Sequence, residues 1–206
     1  MKNQLLAEIK QSFTQAKKHC ENNEFLSDAK DALQRKHAHR SKLWINYLAE
    51  QLLISSKKDR PETEEYLAFY QANKERRQLL GLNEFLFDIV IGKMTNIKTA
   101  SGFRNQLAKD ETLKALSHAV WIVESEFQLK NSRALLVDMN KLILGKAKNK
   151  LFVMSIDNGS RIENWAEETL RLLTKEDDAN IFLAKIPHPK DWFNLNVDDI
   201  ELIEIS

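Results

Sequence analysis

Two glutamates, Glu124 and Glu126, stand two positions apart at the end of the apolar run Val120–Val123. β-Branched and aromatic residues with no charge among them predict a buried strand. Strand side chains alternate faces, so both carboxylates project the same way from its tip. Neighbouring acids repel, and burial makes each more costly, so a metal ion or a cationic partner would relieve both problems. If the strand leaves the core at Val123, both glutamates are simply wet, the usual condition of this residue. A third acid, Asp88, interrupts the apolar run Phe85–Ile91, which reads as a core strand. It is either solvated at a sheet edge or held in a cleft with a partner. Lys141 lies on the helix after the glutamate strand, three residues from Asp138 and therefore beside it. Carboxylate oxygens are the donors Mg²⁺ and Mn²⁺ prefer. Such an ion polarises a phosphate and acidifies bound water, and a lysine beside it stabilises developing negative charge.

These side chains need elements to position them. Apolar residues at helical spacing predict a helix over 4–20, and Ser27 is a cap for a second. The basic stretch Arg35–Lys42 reads as a solvated face or a joint between helices. An amphipathic helix over 43–54 carries Glu50 near its stripe edge. Pro61 opens a helix predicted over 62–80, ended by Gly81. Residues 95–104 read as a loop hinged at Gly102, and 105–118 as a helix. The helix over 133–145 starts at Asn131 or Ser132 and ends at Gly145. A strand over 150–155, a turn at 157–159, a helix opened by the Ser160–Glu163 capping box and a strand over 180–186 follow. Trp192 and Phe193 are expected to cover an apolar edge, and 199–205 to add an edge strand. The expected fold is α/β, a mixed central sheet of four to five strands flanked by helices. Residues 1–80 form a helical region within the same globular unit as an α/β core over 81–206.

Composition narrows the function classes. The chain has 206 residues, is 43% hydrophobic and 30% charged, and carries a net charge of +1; this describes an ordinary folded domain. A nucleic-acid partner would therefore need a local basic face. Arg35, Lys36, Arg40 and Lys42 form one such patch, and Arg76 and Arg77 belong to a second; both could contact phosphates. Cys20 is the sole cysteine, which excludes an intramolecular disulfide and fits a reducing, cytoplasmic setting. The first residues lack the apolar core of a signal peptide, and no apolar run approaches the ~20 residues of a membrane helix. No Gly-rich phosphate loop and no G-x-S-x-G is present.

An aspartate in one strand, an acid-x-basic pair in the next, then a helix and another strand is the pattern of the PD-(D/E)XK, restriction-endonuclease-like superfamily, which the chain resembles over about residues 43–155. The resemblance implies that Asp88 is the first metal-binding acid and Glu124 the second. Glu50, on a preceding helix, stands where many relatives place an extra acid. The chain departs from the pattern at Glu126, where lysine is usual, and at Phe87, where proline is usual. Some members carry the lysine on the following helix, where this chain has Lys141. The implied activity is Mg²⁺- or Mn²⁺-dependent cleavage of phosphodiester bonds in DNA, in defence or mobile-element biology. The competing expectation is a non-catalytic binding or regulatory protein on a nuclease-like fold. Its N-terminal helices would dock a protein partner or a second copy. Glu126 and the near-neutral charge favour that reading, whereas Asp88, Glu124 and Lys141 favour the nuclease.

Overall fold

The structure, a computed structural model, describes residues 1–23, 30–58, 60–71, 85–98, 112–128, 131–156 and 161–205; the side chains of 23, 30–35 and 112–113 are excepted. Helices α1 (Lys2–Asn23) and α2 (Lys30–Lys57) lead into strand β1 (Tyr66–Phe69). Then come β2 (Ile89–Lys98), β3 (Thr112–Glu126), α3 (Ser132–Leu144), β4 (Asn149–Ser155), α4 (Arg161–Leu173), β5 (Asn180–Ile186) and β6 (Glu201–Glu204). The strands form a six-stranded mixed sheet in sequence order, β1 to β6. Pairing is antiparallel for β1–β2, β2–β3 and β5–β6, and parallel for β3–β4 and β4–β5.

Alternation along the strands divides the core into two. Ile89, Val123, Leu151 and Phe182 face α1 and α2, which supply Leu5, Phe13, Trp44 and Leu52. Val90, Ile122, Phe152 and Leu183 face α3 and α4, which supply Leu135, Met139, Ala166 and Leu170. The fold is thus α/β with helices on both faces of the sheet, as expected, though with six strands rather than four or five. Among the described residues no helix is long and apolar enough to cross a membrane.

Several local expectations are corrected. The stretch Arg35–Lys42 is not a joint between helices: α2 runs unbroken for 28 residues. The helix predicted over 62–80 gives way at Tyr66–Phe69 to β1, so the sheet begins well before residue 81. All four β1 residues are buried, and a short run covered on both faces has no period to separate strand from helix. Residues 72–80 lie outside the described set. Residues 95–98 continue β2 rather than forming a loop, and 112–118, predicted helical, belong to β3. Their Ala, Leu and Lys favour a helix locally, but they pair with β2 through Lys98↔Thr112, and cross-strand pairing outweighs propensity. Residues 85–88 approach the sheet irregularly, and the strand starts at Ile89. The capping residues Ser27 and Ser160, and the turn at 157–159, fall outside the described residues. Trp192 is fully buried, its ring edge-on to Phe13 at 5.2 Å, whereas Phe193 stays largely exposed.

Candidate active site

Three of the four residues expected to do chemistry, Asp88, Glu124 and Lys141, come together at one end of the sheet, and Glu126 does not join them. Asp88 immediately precedes β2, and the last β2–β3 pair is Ile89↔Val123. The antiparallel register therefore sets Asp88 beside the C-terminal end of β3, where Glu124 and Ser125 stand. Asp88 Oδ2 accepts two hydrogen bonds from Ser125, from its amide at 2.8 Å and its hydroxyl at 2.6 Å. This clamp fixes the carboxylate from both backbone and side chain.

Glu124 follows Ile122 on the α3 face and is 2% exposed. Helix α3 crosses above it. Asn131 caps its start by accepting from the Ala134 amide at 3.1 Å, and the Gly145 amide donates to Lys141 O at 3.0 Å. A side chain at Gly145 would collide with Ile122 and with the Phe87 ring. The end of α3 thus packs tightly against Ile122 of β3 and against Phe87, next to Asp88. The last turn delivers Lys141, whose Nζ lies 2.6 Å from Asp138 Oδ1 and 3.4 Å from Glu124 Oε2.

The electrostatics follow from this crowding. Burial, then repulsion from Asp88, raises the Glu124 carboxyl to about 8, despite the attraction of Lys141. Burial also raises Asp88, against the opposing hydrogen bonds from Ser125. For Lys141 burial acts downward, but the hydrogen bond to Asp138 and the Glu124 charge outweigh it and the ammonium is held above its ordinary value. Glu124 Oε1 is buried and has no hydrogen-bond partner among the described residues. A buried oxygen without a donor is costly, and a cation bound there would remove the cost.

The donor set fits Mg²⁺ or Mn²⁺. Asp88 and Glu124 offer hard carboxylate oxygens, and Glu124 has a lone pair free. Among the described residues no group of three or more His, Cys, Asp and Glu is placed to hold a metal. An ion here would take its remaining positions from water and a phosphate, the usual arrangement for Mg²⁺.

The other sequence candidates separate from this group. Glu50 is exposed and accepts from the Tyr70 hydroxyl at 2.7 Å; it does not join Asp88 and Glu124. Glu126 shares Glu124's face by alternation, but its Oε1 turns back to the Gln128 amide at 2.7 Å. Among the described residues no cation pairs with Glu126. Arg40, expected on a phosphate-binding face, is 7% exposed. It donates to Pro189 O at 2.6 Å and lies 4.7 Å from the Phe193 ring centre. It ties α2 to the segment after β5. Lys36 is half-buried and Lys42 exposed. The side chain of Arg35, and Arg76 and Arg77 entirely, lie outside the described residues. Sequence reasoning missed Ser125 as the clamp on Asp88; its only signal was a hydroxyl between two acids at a strand tip. It also gave Asp138 no role beyond a surface pair.

Arg40 and Lys42 should behave differently on substitution. Arg40→Ala is expected to lower stability by about 2 kcal/mol in urea unfolding, through the lost buried hydrogen bond and ring contact. Lys42→Ala should leave stability within about 0.5 kcal/mol of the parent.

No protein-family model, curated protein or solved structure matches the chain.

Proposed function

We propose that the protein is a metal-dependent nuclease that hydrolyses phosphodiester bonds in DNA. The observation that carries this reading is the convergence of Asp88, Glu124 and Lys141 at one sheet end, with a buried Glu124 oxygen left unpaired. The order of elements adds support: a strand preceded by Asp88, a strand ending in Glu124, a helix bearing Lys141, then a further strand. It is the order the PD-(D/E)XK resemblance implies.

Each residue has a task on this reading. Asp88 and Glu124 would hold Mg²⁺ or Mn²⁺, which supplies neutralisation of phosphate charge and a more acidic water. Ser125 keeps Asp88 oriented without spending a proton. Lys141 offers a fixed positive charge where negative charge builds on the phosphate oxygens. Asp138 holds that ammonium in place, and Lys42 lies on the approach to Asp88. Glu126 supports the competing binding-protein reading, because the strand position usual for lysine carries a carboxylate turned to backbone. On that reading Lys141 is only the partner of Asp138.

The test is cleavage of DNA in Mn²⁺ by the wild type and by Asp88→Ala. The nuclease reading expects nicking that a chelator stops, and a loss of roughly 10²-fold or more in the variant. Absence of cleavage in either metal, or equal activity of the variant, supports the binding protein.

A further inference from the structure

We propose that the cleft between α2 and the Asp88 side of the sheet receives one unpaired nucleobase, so that the substrate is single-stranded or splayed DNA. The inference rests on the nuclease reading for its neighbour, the scissile phosphate, but on different atoms for the base.

The cleft has a volume of about 440 Å³, and Asp88 and Ser125 form part of its wall. This is within the ~300–1,000 Å³ typical of small-ligand sites. It shares Asp88 and Ser125 with the candidate active site, whereas Glu124 and Lys141 stand on the α3 face. Phe127 and Phe85 contribute aromatic surface. Phe127 is packed edge-on to Trp44 and His188. Phe85 rests on Phe69 at 4.7 Å between ring centres, yet is 36% exposed, leaving one side open. Asn46 also lines the cleft, and its Oδ1 is buried without a hydrogen-bond partner among the described residues. Lys42 stands exposed at the border.

These features suit one nucleotide. A base offers a flat π surface to the phenylalanines. An exocyclic amino group supplies the donor that Asn46 Oδ1 lacks, which favours adenine or cytosine over thymine. The attached phosphate carries the charge that Lys42 matches, and the next phosphate falls toward Asp88 in the cleft wall. A base stacked and paired within a duplex cannot enter such a cleft unless it is extruded. The unpaired form is thus the one recognised.

The experiment uses the full chain carrying Glu124→Gln, so that bound DNA is not cut, with fluorescently labelled oligo(dA), oligo(dC), oligo(dT) and an oligo(dA)·oligo(dT) duplex. Binding is read by anisotropy. Oligo(dA) and oligo(dC) should bind roughly tenfold or more tightly than the duplex, and oligo(dT) should be weaker than either. Adding Asn46→Ala, or Ala38→Trp at an exposed position bordering the cleft, should cost the single strands roughly tenfold and leave the duplex unchanged. Ala38 is at the helix surface, so the larger residue blocks the cleft without entering the core. Duplex binding as tight as single-strand binding overturns the proposal, as does single-strand binding indifferent to Ala38→Trp. Cleavage separates the two readings. If the otherwise wild-type Ala38→Trp chain cuts duplex DNA while single-strand binding ignores the cleft, the cleft falls and the nuclease stands. If single strands bind through Asn46 and the cleft but the wild type cuts nothing in Mn²⁺, the nuclease falls and the cleft stands.

Discussion

Glu124→Gln is expected to lower DNA cleavage by about 10³-fold while making the metal-free protein more stable at alkaline pH. The two effects share a cause. Glu124 titrates at about 8 in the folded protein, because burial and the Asp88 charge oppose its ionisation, against an ordinary value of 4.5. Between those values the folded state binds a proton that the unfolded state has lost, so stability falls as pH rises from about 4.5 to about 8. Glutamine keeps the shape of the neutral acid and has no proton to lose. In urea unfolding with chelator, the variant should exceed wild type by on the order of 2–4 kcal/mol at pH above 8, and match it near pH 4. The same proton must leave for a metal to bind, so wild-type Mn²⁺ affinity should rise with pH up to about 8. A stability difference that does not change with pH would show that Glu124 ionises normally. A cleaving Glu124→Gln enzyme would remove it from the site.

Lys141→Ala is expected to cut the rate by roughly 10²-fold at saturating Mn²⁺ and leave metal affinity undiminished. Its ammonium bridges Asp138 at 2.6 Å and Glu124 at 3.4 Å. Removing it takes a positive charge from the reacting phosphate but none of the carboxylate donors. Stability near neutral pH should change little, because Glu124 already holds its proton there and does not become an unpaired buried charge. Single-turnover cleavage and a parallel unfolding curve check both halves. Persistent activity would leave Lys141 as no more than the partner of Asp138 and would shift the balance to the non-catalytic protein.

Part of the candidate site was legible because its residues violate local pattern. An aspartate inside Phe85–Ile91 and glutamates ending Val120–Val123 stand out against apolar runs, and burial without pairing is costly enough to need a reason. Helix α3 was legible from its period, its Asn131 cap and Gly145. The missed strands failed for physical reasons. Tyr66–Phe69 is buried on both faces and has no alternation to read, and 112–118 depends on pairing with β2 more than on its own propensity. Arg40 shows the limit of charge patterning. Its place in a basic run suggested phosphate contact, yet its guanidinium closes onto Pro189 and Phe193. Such a tertiary partner, 149 positions away in the chain, leaves no local signature. Nor could spacing reveal the clamp by Ser125, because that depends on the β2–β3 register.

The metal site is tested most directly by calorimetric titration of Mn²⁺ into the wild type and into Asp88→Ala above pH 8, with no nucleic acid present. One site is expected in the wild type, with affinity weakened by tenfold or more in the variant through loss of one of two carboxylate ligands. Equal affinity in the two proteins, or no Mn²⁺ binding by the wild type, would contradict that assignment.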